Sequence, residues 1–393
     1  MKRTALYLSL ATIAATTFIS TSAHAVYNLY KKDGLSLDVN GEVNVYATSR
    51  DTTYNFDYPS WAYTASNGAW VANGAHEEWR DRQTRLGYDN GSSWLEFRGS
   101  QRLDNGYRVT GTVGFGYWDG SMYSSNASLA VDKQGLGSLS FGRQYLHTGY
   151  VTRTGTYTPL DTFAASSVRL DYTGIPNFQA SAYYIFPSID DVRRTSNSAT
   201  VEGAGVSASY LIPFADNHSV RLAAGYSDSK RNPATTGVER VSTDSKGGAL
   251  SVEYRVAGLT VAADVGQDEE EFDGNYIRSA ESNYYGAKIG YDFTPRINLT
   301  AGYGVKNTEK TTQDGVTLTA AQTTTAAAVR GYETVLFDEI KQKRAYVTAS
   351  YYLRENFRLF ARADQYKNTY ILGNTDFSRL KDTEIRGGVS FMF

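Results

Sequence analysis

The sequence predicts an all-β fold, a transmembrane antiparallel β-barrel of sixteen strands. Two observations carry most of that prediction. Apolar and polar residues alternate with a period of two along many segments, and the connections between those segments alternate between short and long. Composition agrees: 31 Tyr and 36 Gly against only 7 Pro in 393 residues, with a mean hydropathy of −0.42. A barrel wall is only half apolar, so its average is wet, and its aromatics gather at two membrane interfaces.

Residues 1–25 read as a signal peptide. Lys2 and Arg3 are followed by the apolar stretch Leu6 to Ile19 and by Ala23-His24-Ala25, an A-x-A cleavage pattern. Residues 26–393 then form one transmembrane barrel domain. There is no Cys, so neither disulfide nor thiolate chemistry is available. Without Lys2 and Arg3 the chain carries 39 − 2 = 37 basic against 41 acidic residues, a net of −4. That balance gives no basis for nucleic-acid binding.

The first strand sets the pattern: Leu35, Leu37, Val39, Val43, Val45 and Ala47 alternate with Ser36, Asp38, Asn40, Glu42, Asn44 and Tyr46. Spacing predicts strands over 35–50, 92–103, 105–118, 126–133, 137–145, 166–174, 177–187 and 200–211. It continues them over 218–229, 245–256, 258–268, 280–293, 296–308, 340–353, 356–368 and 381–393. Short turns sit at Asp104-Asn105-Gly106, Gln134-Gly135, Gly174 to Asn177, Pro213 to Asn217, Ala257-Gly258, Thr294-Pro295 and Arg354 to Asn356. These carry residues suited to tight turns. Long polar connections are expected over 51–91, 118–125, 146–165, 188–199, 230–244, 269–279, 308–339 and 369–380, with a possible helical turn at 323–330. The last strand ends on Ile385, Gly387, Val389, Phe391 and Phe393 on one face, with Glu384, Arg386, Gly388 and Ser390 on the other. A free aromatic edge invites aggregation in water, and closure into a barrel removes that edge.

Certain motifs resemble the Gram-negative general porins of the enterobacterial type. Tyr27-Asn28, Lys32-Asp33-Gly34 and Leu37-Asp38-Val39-Asn40-Gly41 look like that family's mature start. Phe141-Gly142-Arg143-Gln144-Tyr145 is similar to the strand leading into its third loop, and Val389-Ser390-Phe391-Met392-Phe393 to its terminal strand. The resemblance implies an outer-membrane homotrimer for passive diffusion of ions and small hydrophilic solutes, in contact with outer-membrane lipid and lipopolysaccharide. It also implies that Phe393 is read by the barrel-assembly machinery, and that acidic residues on an inward third loop face a basic wall. The match departs at the constriction. Asp161 is the sole carboxylate in the loop over 146–165, Glu42 stands where the family often has Lys, and Trp94 and Ser128 stand where it has Arg. Ion preference therefore stays open, as does the alternative of a channel selective for a sugar or oligosaccharide.

A charge facing lipid at mid-bilayer costs about 2–4 kcal/mol, so wall charges belong to the lumen. Alternation places Arg98, Arg108, Arg169, Arg221, Lys288, Arg358, Arg362 and Arg386 there, with Glu42, Glu96, Asp171 and Asp264. The constriction candidates are Glu42, Arg98, Arg169, Arg362 and Arg386, set against Asp161. Asp268 to Glu271 read as a solvated loop face, with a hard-cation site as the alternative. No catalytic residue, cofactor site or metal site is expected: after cleavage three His remain, all in predicted loops or turns, and neither H-E-x-x-H nor a P-loop occurs.

Overall fold

A computed structural model describes residues 27–58, 61–64, 69–72, 75–88, 93–118, 121–187, 200–215, 217–236, 239–272, 277–312, 339–372 and 375–393. The leader over 1–25 and the helical turn expected at 323–330 lie outside them. Among the described residues twenty strands occur in order: β1 (Tyr27–Lys32), β2 (Leu35–Tyr58), β3 (Trp61–Thr64), β4 (Ala69–Ala72), β5 (Ala75–Tyr88), β6 (Trp94–Arg102) and β7 (Tyr107–Trp118). They continue as β8 (Ser121–Lys133), β9 (Gly137–Tyr145), β10 (Phe163–Tyr172), β11 (Phe178–Ile185), β12 (Thr200–Ala215), β13 (His218–Thr236) and β14 (Glu239–Val256). The remainder are β15 (Leu259–Phe272), β16 (Ile277–Thr294), β17 (Ile297–Thr312), β18 (Glu339–Arg354), β19 (Phe357–Leu372) and β20 (Thr375–Met392).

Pairing resolves these into a closed barrel of sixteen staves. β5 and β6 together make one interrupted stave, because both pair with β2, at Val45–Tyr58 and Leu35–Glu42 respectively. From β7 to β20 each strand pairs antiparallel with the next, and β20 closes on β2 from Glu42↔Met392 to Phe56↔Ser378. β1 pairs with Leu35–Val39 of β2, in line beyond the end of β20. β3 and β4 form a separate hairpin.

The sixteen expected strands are all present, and 137–145 is reproduced residue for residue. Correction is needed at the outer ends. β8 starts at Ser121 within the connection expected over 118–125, β5 lies inside the one expected over 51–91, and most of 230–244 is paired. Asp268 to Glu271 lie in β15 and not in a loop. The reason is that a ladder needs only backbone donors and acceptors. Above the lipid band both faces are wet, so alternation fades while pairing continues. At the short ends Asn105, Asn177 and Asn217 take φ of 60°, 61° and 64°, the left-handed region that Asn tolerates.

Burial is inverted relative to a soluble protein. Val45, Leu129, Leu170, Leu250, Ile289 and Ile385 are exposed on the outer face. The buried set is largely polar, including Asn44, Glu96, Ser251, Glu253, Asp264 and Asp364. Tyr184 with Phe186 and Tyr291 with Phe293 make edge-on pairs at opposite ends of the wall, centroids 5.1 and 4.8 Å apart. Those are the interfacial positions aromatic rings favour.

Candidate pore constriction

After β9 the chain leaves the wall and enters the lumen. Leu146 is fully buried with Ala164, Tyr183 and Ile185, and a 3-10 turn over His147–Tyr150 redirects the backbone. Val151 and Leu160 then pack on the inward side chains Ala223 and Ala249. Inward glycines make room for this. A Cβ on Gly225 would lie 2.8 Å from Val151, and one on Gly304 would lie 2.4 Å from Thr156.

Polar contacts fix the far side. The Asp264 carboxylate accepts the Arg153 N–H (2.8 Å to each oxygen) and the Thr154 N–H (2.7 Å). The Tyr346 hydroxyl donates to the Thr154 carbonyl (2.6 Å), and Arg344 Nη1 to the Thr156 carbonyl (3.2 Å). Backbone groups leaving the wall need partners, and these supply them. The segment thus spans the interior from β11 to β18.

At its root His147 Nδ1 sits 2.7 Å from Gln179 Nε2 and 3.4 Å from Asp171. Burial holds this imidazole down at about 4, outweighing the pull of Asp171, while Arg169 lowers it further. Burial likewise pushes the Tyr150 phenol up to about 12.

Asp161, the loop's one carboxylate, is buried against the wall. It accepts from the Tyr183 hydroxyl (3.2 Å) and the Ser229 hydroxyl (3.3 Å), and its N–H donates to Ser227 (3.4 Å).

Across the lumen, β18, β19, β20 and β2 carry an arginine wall. Asp364 is held by Arg362 (2.6 and 2.8 Å), Arg344 (3.4 Å) and Arg386 (3.7 Å), which also reaches Glu384 (3.3 Å). Arg362 lies over the Tyr346 ring and Arg344 over Tyr366, at 4.7 and 4.8 Å. Arg50 pairs with Asp382, and Arg358 with Glu42 (3.2 Å), which accepts the Ser390 hydroxyl (2.6 Å).

Of the sequence-derived candidates, Arg362 and Arg386 are brought together on Asp364, with Glu42 in a neighbouring pair on the same wall. Arg98 and Arg169 stand apart on β6 and β10, bonded to Glu96 and Asp171 at 2.9 Å each. Sequence reasoning passed over Arg50, Arg344 and the role of Asp364. Their inward parity was readable, but the partner strand positions were not.

One geometric rule unites the described lumen pairs: the cation is the more exposed member. Arg362 is 28% exposed against 0% for Asp364, Arg98 43% against 7% for Glu96, and Arg50 57% against 12% for Asp382. Guanidinium groups line the water, and carboxylates lie behind them.

The model of the Gram-negative porin family matches residues 10–370. The chain belongs to that family. Solved porins share its fold at low identity. An anion-selective porin from Comamonas acidovorans is 14% identical with a TM-score of 0.61, covering 91% of this chain and 100% of that one. OmpT of Vibrio cholerae is 14% identical (TM-score 0.56; 91% and 99% covered). Salmonella typhi OmpF, solved with daunomycin, is 15% identical (TM-score 0.52; 93% and 100% covered). A search of curated proteins gave no match. The porin is an outer-membrane protein whose barrel lets ions and small hydrophilic solutes diffuse passively. Family and fold point to a channel and not to an enzyme.

Proposed function

We propose that this porin is an anion-preferring diffusion channel, constricted by its inward loop over 146–162 against the arginine wall. The observation that carries this is the exposure order within the lumen ion pairs. A permeating ion responds to the charge nearest the water, and field strength falls with depth behind it. Three arginines on the buried Asp364, one of them shared with Glu384, leave a local surplus of one positive charge. Arg362 and Arg386 are the sharpest constriction residues, and Arg98, Arg169 and Glu42 tune the opposite and lower wall. Asp161 serves to seat the loop.

The reading includes a cleaved leader over 1–25, a homotrimer, lipopolysaccharide as a partner and Phe393 as the signal for the barrel-assembly machinery. The trimer draws support from the solved V. cholerae OmpT described in trimer form. Single-channel conductance with exchanged salts tests the anion preference. Replacing chloride by acetate is expected to lower conductance more than replacing potassium by lithium; the reverse order would overturn it.

A further inference from the structure

Where the root of the inward loop meets the wall, two guanidinium groups share a small cavity. The loop contributes His147 and Arg153, and the inward face of β11, β12 and β13 contributes Gln179, Ser207, Ser209 and Arg221. Register builds the wall side: Gln179 is opposite Ser209, and Ser209 is opposite Ala223, two residues along β13 from Arg221. Among the described residues no carboxylate lines the cavity. We infer that it binds a halide-sized monovalent anion, which clasps the inward loop to β13. The site lies apart from the arginine wall of β18 to β20 and β2, so the inference stands whichever ion the pore prefers.

Arg153 is only 7% exposed, and its Nε is buried without a hydrogen-bond partner. Among the described residues neither its guanidinium nor that of Arg221 makes a hydrogen bond or an ion pair. The nearby carboxylates are engaged elsewhere. Glu253, in register opposite Arg221, pairs with Arg255 (2.8 Å) and Lys288 (3.3 Å). Asp171 accepts from Arg169 (2.9 Å) and Ser181 (2.7 Å), and Asp264 takes the two loop N–H groups. Arg153, Arg221, Arg255 and Lys288 against Glu253 and Asp264 give a local charge of 4 − 2 = +2. A buried charge without a partner is costly. Burial, and then repulsion from Arg221, hold the Arg153 guanidinium down at about 10, below its ordinary range. An anion between the two arginines relieves both effects.

Volume and donor set select the class of anion. The cavity is ≈ 20 Å³, and a single water-sized occupant needs about 10–15 Å³. Chloride or bromide fits; phosphate, sulfate or a carboxylate on a carbon skeleton does not. The guanidinium, amide and hydroxyl groups that line it all offer N–H or O–H donors, and a monatomic anion accepts from every direction. Water in the same space leaves both charges uncompensated. Arg153 belongs to the loop and Arg221 to the wall, so the anion bridges the two, as Asp264 does for the loop backbone.

The test is anomalous diffraction from crystals of the full porin grown in bromide, comparing wild type with Arg221→Gln and Arg153→Gln. Heat-modifiable migration certifies that each variant is folded. The expected result is a bromide peak in contact with both guanidinium groups in the wild type and none there in either variant. In solution, replacing methanesulfonate by chloride at constant ionic strength should raise the thermal midpoint of the wild type. Arg221→Gln should weaken that halide response roughly 10- to 100-fold in concentration, the loss expected for one charged donor. No peak in the wild type, or an equal peak in the variants, would overturn the site. A peak without any chloride dependence in solution would mean binding at crystal concentration only, and would overturn the clasp. Bromide at Arg362 and Arg386 with none at the loop root would overturn the site and leave the proposed anion preference standing. Bromide in the cavity together with a potassium-preferring reversal potential would do the reverse.

Discussion

Gly41 and Phe393 exchange both of their backbone hydrogen bonds, at 2.7 and 2.9 Å, and the Phe393 ring occupies the space a Cβ on Gly41 would need. An ideal Cβ there would lie 2.7 Å from the ring and 2.9 Å from the Trp94 carbonyl oxygen. The seam of the barrel is therefore sealed by the last residue of the chain. Gly41→Val forces the ring or the strand aside. We expect a loss of about 1–3 kcal/mol, read as a lower urea midpoint for unfolding, whereas Gly99→Val, with open space around its Cβ position, shifts it little.

Asp264 offers one carboxylate to two consecutive loop N–H groups. Asp264→Leu leaves those donors unpaired at about 1–3 kcal/mol each. The expected outcome is a loop that leaves its seat, seen as noisier single-channel currents and a larger size cutoff in liposome swelling. Quiet currents of unchanged size would count against the anchoring role.

His147 gives the loop a defined acid response. Its pKa in the seated loop is about 4, below the ordinary value of 6.5. The seated state thus prefers neutral imidazole, so its full stability holds above pH 6.5 and is lost as pH falls from there toward 4. Asp171, Arg169, Gln179 and Tyr150 face it, and Arg153 and Arg221 line the same cavity. Channel noise should rise between pH 6.5 and 4 in the wild type, and His147→Gln should flatten that rise.

The arginine wall separates selectivity from stability. Arg362→Gln removes an exposed cation and should reduce the chloride-to-potassium permeability ratio. Asp364→Ala removes the buried anion that holds three guanidinium groups, which costs about 3–5 kcal/mol in stability yet preserves the anion preference. Paired measurements of denaturation midpoint and permeability ratio distinguish the two.

Legibility in the sequence followed physics. Period two marks a wall between lipid and water, so Phe391 outward and Arg386 inward were readable from the chain alone. β5 was not, because its polar stretch lies above the lipid and carries no contrast between faces. Neither was the pairing of Arg50 with Asp382, 332 positions apart, since a closed sheet juxtaposes residues that local pattern does not relate. The loop motif pointed to Asp161 as a charge facing the arginines. Its hydrogen bonds to Tyr183 and Ser229 depend on inward hydroxyls of β11 and β13, whose meeting with the loop only the folded chain displays.

In the proposed reading, depth behind the water line sets ion preference, and not the net charge of −4 that remains without residues 1–25. The reversal potential across a planar bilayer in a potassium chloride gradient tests it most directly. The expected sign corresponds to chloride passing more readily than potassium, with the offset shrinking in Arg362→Gln. A sign corresponding to potassium preference in the wild type would contradict it.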